Sequence, residues 1–169
     1  METNRLNIRK FVFEDMRDFE ELIRDKMSSK YAVFDEQFPT DSETLKDLLS
    51  YFIGSDEFFA IERKDTKRVI GFISLNYIDD TTRNMGYCIH TQYQNNGFAR
   101  ETLIEMKKYA KEELGLSKLI SGTAEENRAS VNLLIGSGFS IVNKQQVSFV
   151  NDERGNPIIF MGCAFECIL

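Results

Sequence analysis

A glycine-containing segment near the middle of the chain has the composition of a phosphate-binding loop. It runs Gln94, Asn95, Asn96, Gly97, Phe98, Ala99 and leads into a stretch with helical spacing of apolar residues. Amide N–H groups in the first turn of a helix lack intrahelical acceptors and lie at the positive end of the helix dipole, so they can bind a phosphate. We therefore predict that this loop binds a phosphate, although a short string of this kind is also typical of a simple turn.

Two other kinds of phosphate loop are missing from the sequence. No Gly-x-x-x-x-Gly-Lys-Ser/Thr string occurs, and no Gly-x-Gly-x-x-Gly follows the first predicted strand. Both strings place backbone amides and, in the first case, a lysine around nucleotide phosphates. Their absence disfavours a nucleoside triphosphate or a dinucleotide as the ligand.

Three polar residues outside the loop have side chains suited to proton transfer or ligand binding. Asn127 and Ser130 stand at the predicted start of a helix, where an amide or hydroxyl can either contact a ligand or cap the backbone. His90 is the only histidine and follows a predicted strand directly before the loop. Histidine as a residue type is suited to act as a general base near neutral pH, although a lone histidine at the end of a strand is also typical of a structural residue.

Hydrophobic periodicity places these residues in an alternating order of strands and helices. Alternating apolar residues and turn compositions predict strands, and apolar residues three and four apart predict helices. Thr40 and Glu43 have the spacing of a capping box ahead of the second helix. The predicted strands cover residues 6–11, 58–62, 69–75, 83–89, 116–122, 140–150 and 158–168, and the helices start near residues 14, 40, 98 and 127.

This order predicts one α/β (α+β) domain spanning residues 1–169, with a mixed and largely antiparallel sheet. The formal net charge of −6 and the absence of a basic cluster argue against binding to nucleic acid. No run approaches the roughly 20 apolar residues of a membrane helix, and the start of the chain lacks the apolar centre of a signal peptide. We therefore expect a cytoplasmic protein that binds neither nucleic acid nor membrane.

The three cysteines do not suggest a disulfide or a metal site. Cys88, Cys163 and Cys167 show no Cys-x-x-Cys spacing, and the single histidine offers no second ligand pattern. Cys163 and Cys167 would share one face of a strand about 13 Å apart, which is too far for a disulfide. We expect reduced cysteines and no bound metal.

Successive motifs between residues 86 and 139 resemble those of the GNAT acetyltransferases. They are GYCIH from Gly86, YQNNGFARE from Tyr93, NRAS from Asn127 and GSGF from Gly136, in that order and spacing. The opening residues 5–9 and the Asn-x-x-Ser pattern are most similar to the branch that includes ribosomal-protein N-terminal acetyltransferases. The resemblance implies about seven strands, about four helices, and acetyl-coenzyme A (acetyl-CoA) as the co-substrate.

The resemblance also implies a role for each part of the site. The coenzyme A (CoA) pyrophosphate would lie on amides from Asn95 to Arg100, with Gln94 shaping the loop. The strand ending at Cys88, Ile89 and His90 would splay from residues 118–123, and an N–H near Ile89 would stabilise the oxyanion. Asn127 would hold the pantetheine chain, and Ser130 would protonate the departing sulfur. The full cofactor-binding set is Cys88, Ile89, His90, Gln94, Asn95, Asn96, Gly97, Phe98, Ala99, Arg100, Asn127 and Ser130.

The general base is not fixed by the sequence. Related proteins often carry an acidic residue two positions before the Gly-Tyr pair, where this chain has Asn84, and an amide cannot accept a proton at neutral pH. His90, Glu62, a water chain or no dedicated base remain as alternatives. A nucleophilic role for Cys88 would need His90 as its base, which we disfavour.

The sequence thus predicts an N-acetyltransferase that moves an acetyl group to a primary amine by direct transfer in a ternary complex. A protein or peptide N-terminus is the expected acceptor, and a polyamine or aminoglycoside-like amine is the alternative. A non-catalytic module that binds acyl-CoA is the third interpretation, because the base is unassigned. Either a monomer or a homodimer is compatible with the sequence.

Overall fold

Seven strands form one sheet in the computed structural model, which describes residues 1–169. The spatial order is β1-β2-β3-β4-β5-β7-β6, and every neighbouring pair is antiparallel except β4 and β5. The predicted mixed, largely antiparallel sheet is therefore confirmed. The strands are β1 Leu6–Arg9, β2 Phe58–Arg63, β3 Val69–Asp79, β4 Thr82–Ile89, β5 Lys118–Ala124, β6 Ser140–Val147 and β7 Phe160–Ile168.

Two helices cover one face of the first strands. Helix α1 spans Met16–Ser28 and helix α2 spans Ser42–Gly54, and each buries the apolar residues that its helical spacing predicts. Phe11, Phe19 and Phe52 meet edge to face, with ring centroids 5.3–5.5 Å apart. Such aromatic contacts add to the stabilisation from burial, and they fix the helices on the sheet.

The predicted capping box at the start of α2 is wrong. The N-cap is Asp41, whose carboxylate accepts hydrogen bonds from the N–H and the hydroxyl of Thr44, both at 2.9 Å. Thr40 and Asp41 are adjacent residues that can both cap a helix, and the chain begins to wind one residue later than the box spacing suggests.

The other face of the sheet carries α3, Phe98–Glu112, and α4, Arg128–Gly136. Their buried residues, which include Leu103, Met106 and Leu134, form the larger of two apolar clusters with side chains from the strands. Gly115 has a φ of +64° shortly after α3 and allows the chain to turn into β5. The sheet is therefore a central layer with helices on both faces.

The C-terminal hairpin is shorter than its sequence suggests. β6 ends at Val147 and β7 begins at Phe160, whereas the predicted strands met at a turn over residues 151–157. Only the isolated bridge between Asn151 and Pro157 continues the pairing. All three cysteines are free, as expected. No helix is long and apolar enough to cross a membrane, and no group of His, Cys, Asp and Glu side chains has a metal-binding arrangement.

Candidate active site

Strands β4 and β5 separate partway along their length. They pair in parallel only at Thr82 with Lys118, Arg83 with Leu119, and Asn84 with Ile120. β4 then continues beside β3 as far as Ile89, and β5 continues beside β7 as far as Ala124. The splay that the family resemblance implies is therefore present, and we call the open space beyond Asn84 and Ile120 the interstrand gap.

Backbone groups of β4 face the interstrand gap at two positions. In an antiparallel ladder, residues alternate between pointing their N–H and C=O groups at the partner strand and away from it. His90 donates its N–H to Ile70 of the β3 side at 2.9 Å, so the residue before it, Ile89, points its N–H the other way. By the same alternation, the backbone N–H and C=O groups of Tyr87 point toward the gap. The predicted oxyanion donor near Ile89 is thus oriented toward the gap.

The opposite wall of the gap also presents free backbone groups. Glu125 donates its N–H to the carbonyl of Met161, on the β7 side, at 2.8 Å. By alternation, the backbone N–H and C=O groups of Gly122 and Ala124 therefore point toward β4. The carbonyl of Ala124 accepts from Asn127 N–H at 3.0 Å, whereas Gly122 lies beyond the paired part of the two strands. An extended chain carrying amide groups, such as pantetheine, can form hydrogen bonds to both walls.

Gly71 fixes the distance between β3 and the end of β4. A Cβ atom at this position would lie 2.3 Å from the carbonyl oxygen of Cys88 and 2.8 Å from the Ile89 side chain. Contacts this short do not occur between non-bonded atoms, so only glycine allows the observed approach of the strands. The position of the Ile89 amide therefore depends on Gly71.

Six consecutive amides, three in the loop after β4 and three in the first turn of α3, have no acceptor within the chain. After Gln94, Glu101 is the first residue whose N–H donates a hydrogen bond to the backbone. Its acceptor is the carbonyl oxygen of Gly97, at 3.0 Å. Asn95 and Gly97 have φ angles of +60° and +80°, a left-handed backbone that turns successive N–H groups to one side and forms a concave site for anions. The six free donors are those of Asn95, Asn96, Gly97, Phe98, Ala99 and Arg100. This set fits a pyrophosphate.

Side chains hold the loop in this shape. Gln94 donates its amide to the carbonyl of Ile89 at 2.9 Å, which ties the loop to the end of β4. Asn96 donates to the carbonyl of Gln94 at 2.8 Å. Arg5 donates to the carbonyl of Asn96 at 2.9 Å, and its guanidinium lies 4.4 Å from the centre of the Phe98 ring. Gln94 therefore connects the loop to the last residue of β4.

Glu101 anchors the N-terminal segment to the first turn of α3. Its carboxylate accepts from the Thr3 hydroxyl, from Arg5 N–H at 2.9 Å and from Arg5 Nε at 2.7 Å. Burial acts to raise the pKa of Glu101, but the bonds from Thr3 and Arg5 outweigh it and hold the pKa below the ordinary value of 4.5. The carboxylate therefore stays charged and strengthens both segments.

Asn127 and Ser130 lie together at the start of α4. The Asn127 side chain caps the helix by accepting from Ser130 N–H at 3.2 Å. Capping was one of the two roles that the sequence left open for Asn127. The NH₂ group of the Asn127 side chain remains free to contact a ligand. The Ser130 hydroxyl makes a 2.8 Å hydrogen bond with the Tyr87 hydroxyl of β4, in which either oxygen can donate.

The sequence favours a core or cleft-wall role for Tyr87 over that of an acid, but in the structure its hydroxyl contacts Ser130. Its side chain is partly buried with Met85 and Ile89 on the α3 and α4 face of the sheet. Burial raises the pKa of the Tyr87 hydroxyl to about 12, although the bond with Ser130 acts in the opposite direction. The phenol is therefore neutral at physiological pH and can donate a proton. The period-2 alternation of β4 was the available signal, because it puts Tyr87 beside Ile89.

His90 is placed at the mouth of the gap but is engaged in local contacts. Its Nδ1 accepts a hydrogen bond from Gln92 N–H at 3.2 Å, which caps a short 3-10 turn at Thr91–Tyr93. Neutral imidazole then carries its proton on Nε2, which lies 3.8 Å from Asp25 Oδ1. Asp25 also accepts from Thr91 N–H at 2.8 Å. In this arrangement His90 has no free lone pair with which to accept a proton.

Glu62 and Cys88 are also unsuited to reactive roles. Burial acts to raise the pKa of Glu62, but hydrogen bonds from Asn7 and Arg9 lower it overall, and the residue lies on β2, two strands from β4. Burial raises the pKa of the Cys88 thiol to about 12, with a small opposing effect from Lys26. The thiol is therefore protonated and a poor nucleophile.

Comparison with known proteins agrees with this architecture. A family model described as "Acetyltransferase (GNAT) domain" matches residues 5–140. An uncharacterized N-acetyltransferase of Bacillus subtilis, YoaA, is 36% identical over 83 residues, which span 48% of this chain and 47% of that relative. The chain thus matches about half the length of this curated relative.

Two solved structures share the fold along nearly the whole chain. Spermidine N-acetyltransferase from Vibrio cholerae, in complex with CoA and spermine, has a TM-score of 0.79 at 22% identity and covers 98% of this chain and 96% of its own. A putative ribosomal-protein-serine acetyltransferase from Vibrio cholerae has a TM-score of 0.78 at 19% identity, with 99% and 96% covered. At these identities the likeness describes the fold.

Proposed function

Because the chain belongs to the GNAT acetyltransferase family, we propose that it transfers an acetyl group from acetyl-CoA to a primary amine. The observation that carries this proposal is the interstrand gap, which lies next in the chain to six unpaired amides of the loop and the first turn of α3. The amides fit the pyrophosphate, and the free backbone groups of the gap fit the pantetheine arm. The thioester would then lie between Ile89 and Ser130.

Acetyl-CoA supplies the acetyl group as a thioester, and transfer forms a C–N bond, breaks the C–S bond and leaves one amine proton to be moved to the sulfur or to solvent. In this scheme the Ile89 N–H stabilises the negative charge that develops on the acetyl oxygen, a contribution of about 3 kcal/mol for one such donor. Ser130 supplies a proton to the departing sulfur. Tyr87 holds the Ser130 hydroxyl in position at 2.8 Å and can replace its proton.

We assign no side chain as general base. The contacts of His90 with Gln92 and Asp25 oppose the role that the sequence left open for it, and those of Glu62 oppose it equally. An amine that enters the gap in its neutral form needs only a water chain to remove its proton after attack. This scheme keeps direct transfer in a ternary complex.

A thiol-release assay tests the proposal. Acetyl-CoA is incubated with the protein and a panel of peptide N-termini, polyamines and aminoglycosides, and free CoA is measured against time. We expect turnover with at least one class, and a Ser130→Ala variant should be about 100-fold slower under the rule for general acids. Release indistinguishable from buffer across the panel would refute catalysis.

The acceptor class is a separate question. A protein or peptide N-terminus is our first choice on the resemblance of the opening residues and the Asn127-x-x-Ser130 pattern, and a small amine is the alternative. The two Vibrio cholerae structures are named for one acceptor of each kind, and at 22% and 19% identity they do not favour either. Ranking kcat/KM across the panel separates the two classes.

A non-catalytic module is the second candidate function, and one observation favours it. Asn84 stands where an acidic residue is common in the family, and its side chain makes no hydrogen bond within the chain. This candidate expects calorimetric binding of acetyl-CoA together with no acetyl transfer to any amine. Turnover above the buffer rate excludes it.

A further inference from the structure

Ser121 of β5 lies at the point where β4 and β5 stop pairing. The last partners are Asn84 and Ile120, and this pairing includes a hydrogen bond from Met85 N–H to the Ile120 carbonyl. In a parallel ladder the next bond would run from Gly122 N–H to the Met85 carbonyl. That bond is not formed, because Met85 and Ser121 are not partners. The inner end of the interstrand gap therefore lies at the Met85 carbonyl.

The Ser121 side chain replaces the bond that the ladder omits. Its Oγ donates to the carbonyl oxygen of Met85 at 2.8 Å. Ser121 is 7% exposed and Met85 is 1% exposed, so without this donor the carbonyl would be an unpaired polar group in the protein interior. Such groups are costly and therefore rare. The hydroxyl thus supplies the donor that Gly122 would supply in a continued ladder.

The position of this hydroxyl is fixed by the sheet. Ser121 lies opposite Phe165 in the ladder between β5 and β7, and alternation points its backbone N–H and C=O groups at β7. That ladder continues to Ala124, and the ladder between β3 and β4 continues to Ile89. Both walls of the gap are therefore held from outside, and only the side chain of Ser121 reaches across to β4.

Two backbone donors stay free because the ladder stops at this point. Gly122 is exposed, and its N–H points toward β4 without a partner there. One further step of the ladder would bind this N–H to the Met85 carbonyl, and a second step would bind Tyr87 N–H to the Gly122 carbonyl. Each step would also bring the two strands to about 4.8 Å apart. Extension would thus narrow the gap beside Tyr87, whose hydroxyl contacts Ser130.

We propose that Ser121 is a positioning residue for acetyl transfer, because its bond to the Met85 carbonyl stops the ladder and keeps the N–H groups of Gly122 and Tyr87 free for the pantetheine arm and its thioester. This inference rests on the proposed acetyl transfer and explains what keeps the inner end of the gap open. Without the hydroxyl, the Met85 carbonyl pairs with Gly122 N–H in the free protein. Acetyl-CoA must then break that bond in order to bind.

Amide hydrogen exchange of Gly122, followed by NMR, tests the pairing directly. In the wild type without CoA, this amide should exchange close to the rate of an unstructured peptide, and saturating CoA should slow it. In Ser121→Ala without CoA, exchange should already be about tenfold slower, as for one added backbone hydrogen bond. Equal exchange of Gly122 in the two free proteins, or no slowing by CoA in the wild type, would overturn the inference.

An isosteric pair of variants separates the hydroxyl from the shape of the side chain. Ser121→Thr keeps the donor, whereas Ser121→Val has a methyl group in its place at nearly the same volume. We expect calorimetry to show acetyl-CoA binding about tenfold weaker in Ser121→Val and Ser121→Ala than in the wild type, and the affinity largely restored in Ser121→Thr. Equal dissociation constants for the threonine and valine variants would contradict a role for the hydroxyl.

Ser74→Ala is the matched control. It removes another buried serine hydroxyl of the sheet, whose hydrogen bond goes to the Asn76 side chain at 3.0 Å and not to a carbonyl of the ladder. Acetyl-CoA affinity and Gly122 exchange should stay within about twofold of the wild type, since no ladder bond changes. Changes as large as those of Ser121→Ala would show a general effect of buried hydroxyls and would overturn the inference.

Neither measurement depends on turnover, so the two proposals can fail separately. If no amine is acetylated but the differences in Gly122 exchange and in acetyl-CoA affinity are found, the proposed function fails and the role of Ser121 stands. If the wild type acetylates an amine while Ser121→Ala matches it in both measurements, the role of Ser121 fails and the proposed function stands.

Discussion

Replacing Tyr87 by phenylalanine tests the hydroxyl pair at the start of α4. The substitution removes one oxygen and leaves Ser130 Oγ without its 2.8 Å partner. Loss of one neutral hydrogen bond costs about 1 kcal/mol of folding free energy, which lowers Tm by about 2–4 °C in a chain of this size. Because the ring remains, the strand packing should be retained.

The effect on catalysis should exceed the effect on stability. A positioned general acid contributes about 10²- to 10⁴-fold, so Ser130→Ala should lower kcat about 100-fold, and Tyr87→Phe, which only releases Ser130, about tenfold. The two residues act as one unit, and the double variant should therefore be as slow as Ser130→Ala alone. Dissociation constants for acetyl-CoA should stay within twofold in all three.

The pH dependence follows from the sign of the Tyr87 shift. A phenol donates a proton only below its pKa, and burial raises the pKa of Tyr87 to about 12. At pH 9 only about 0.1% of the phenol is then ionised, compared with about 10% for an ordinary tyrosine. The wild-type kcat should therefore show no decline due to Tyr87 between pH 8 and pH 10.

Steady-state thiol release over this pH range measures both quantities. Tyr87→Phe should have a parallel pH profile at a lower level. If both Tyr87→Phe and Ser130→Ala keep at least half of the wild-type kcat, the hydroxyl pair does not supply the proton. A wild-type decline centred near pH 10 that Tyr87→Phe abolishes would show that burial does not raise the pKa as described.

Three further predictions concern the loop, the N-terminal segment and the thiol. Gly97→Ala places a side chain at a φ of +80°, which strains the backbone by about 1–2 kcal/mol and should weaken CoA binding about 5- to 30-fold by calorimetry; an unchanged Kd contradicts the loop assignment. Glu101 has a lowered pKa, so its contribution to stability is present above pH 4.5 and is lost as the pH falls through the lowered value. Glu101→Gln should therefore lower Tm by about 5 °C at pH 7 and make Tm decrease less between pH 5 and pH 3 than in the wild type. A Tm decrease parallel to that of the wild type would refute the role of the charge. Iodoacetamide at pH 8 should leave Cys88 unmodified in the folded protein, because its pKa is about 12, and rapid labelling detected by mass spectrometry would contradict this.

Local patterns in the sequence predicted most of the fold. The apolar spacing of Phe19, Leu22 and Ile23 was enough for α1, because a helix that packs on one face records its contacts in its own periodicity. The run of free amides from Asn95 to Arg100 was predictable for the same reason, since these amides belong to consecutive residues. The cap of α2 was misplaced by one residue because Thr40 and Asp41 satisfy the same local chemistry.

Contacts between distant segments could not be predicted in this way. Tyr87 and Ser130 are 43 residues apart, and Arg5 and Glu101 are 96 residues apart. Each residue has an ordinary local explanation as a core aromatic, a helix cap or a surface charge. Only the packing of α3 and α4 on the sheet brings them together, and the periodicity of one segment does not encode which distant segment it meets.

The splay of β4 from β5 was available only through the family resemblance. Both strands keep their alternation beyond Asn84 and Ile120, where their mutual pairing ends, because β3 and β7 continue to pair with them. Alternation records which face of a strand is buried and carries no information about which edge is bonded. Site geometry that depends on an unpaired edge is therefore hidden from periodicity.

Gly71 has a consequence for how variation in this protein should be interpreted. It lies on β3 and does not border the interstrand gap, yet a single added carbon would push the Cys88 carbonyl away and carry the neighbouring Ile89 amide with it. Mutational screens that rank positions by their distance from a bound molecule would score Gly71 as neutral scaffold. Loss of activity at this position, with retained CoA affinity, would be the signature of a site whose accuracy depends on the absence of a side chain.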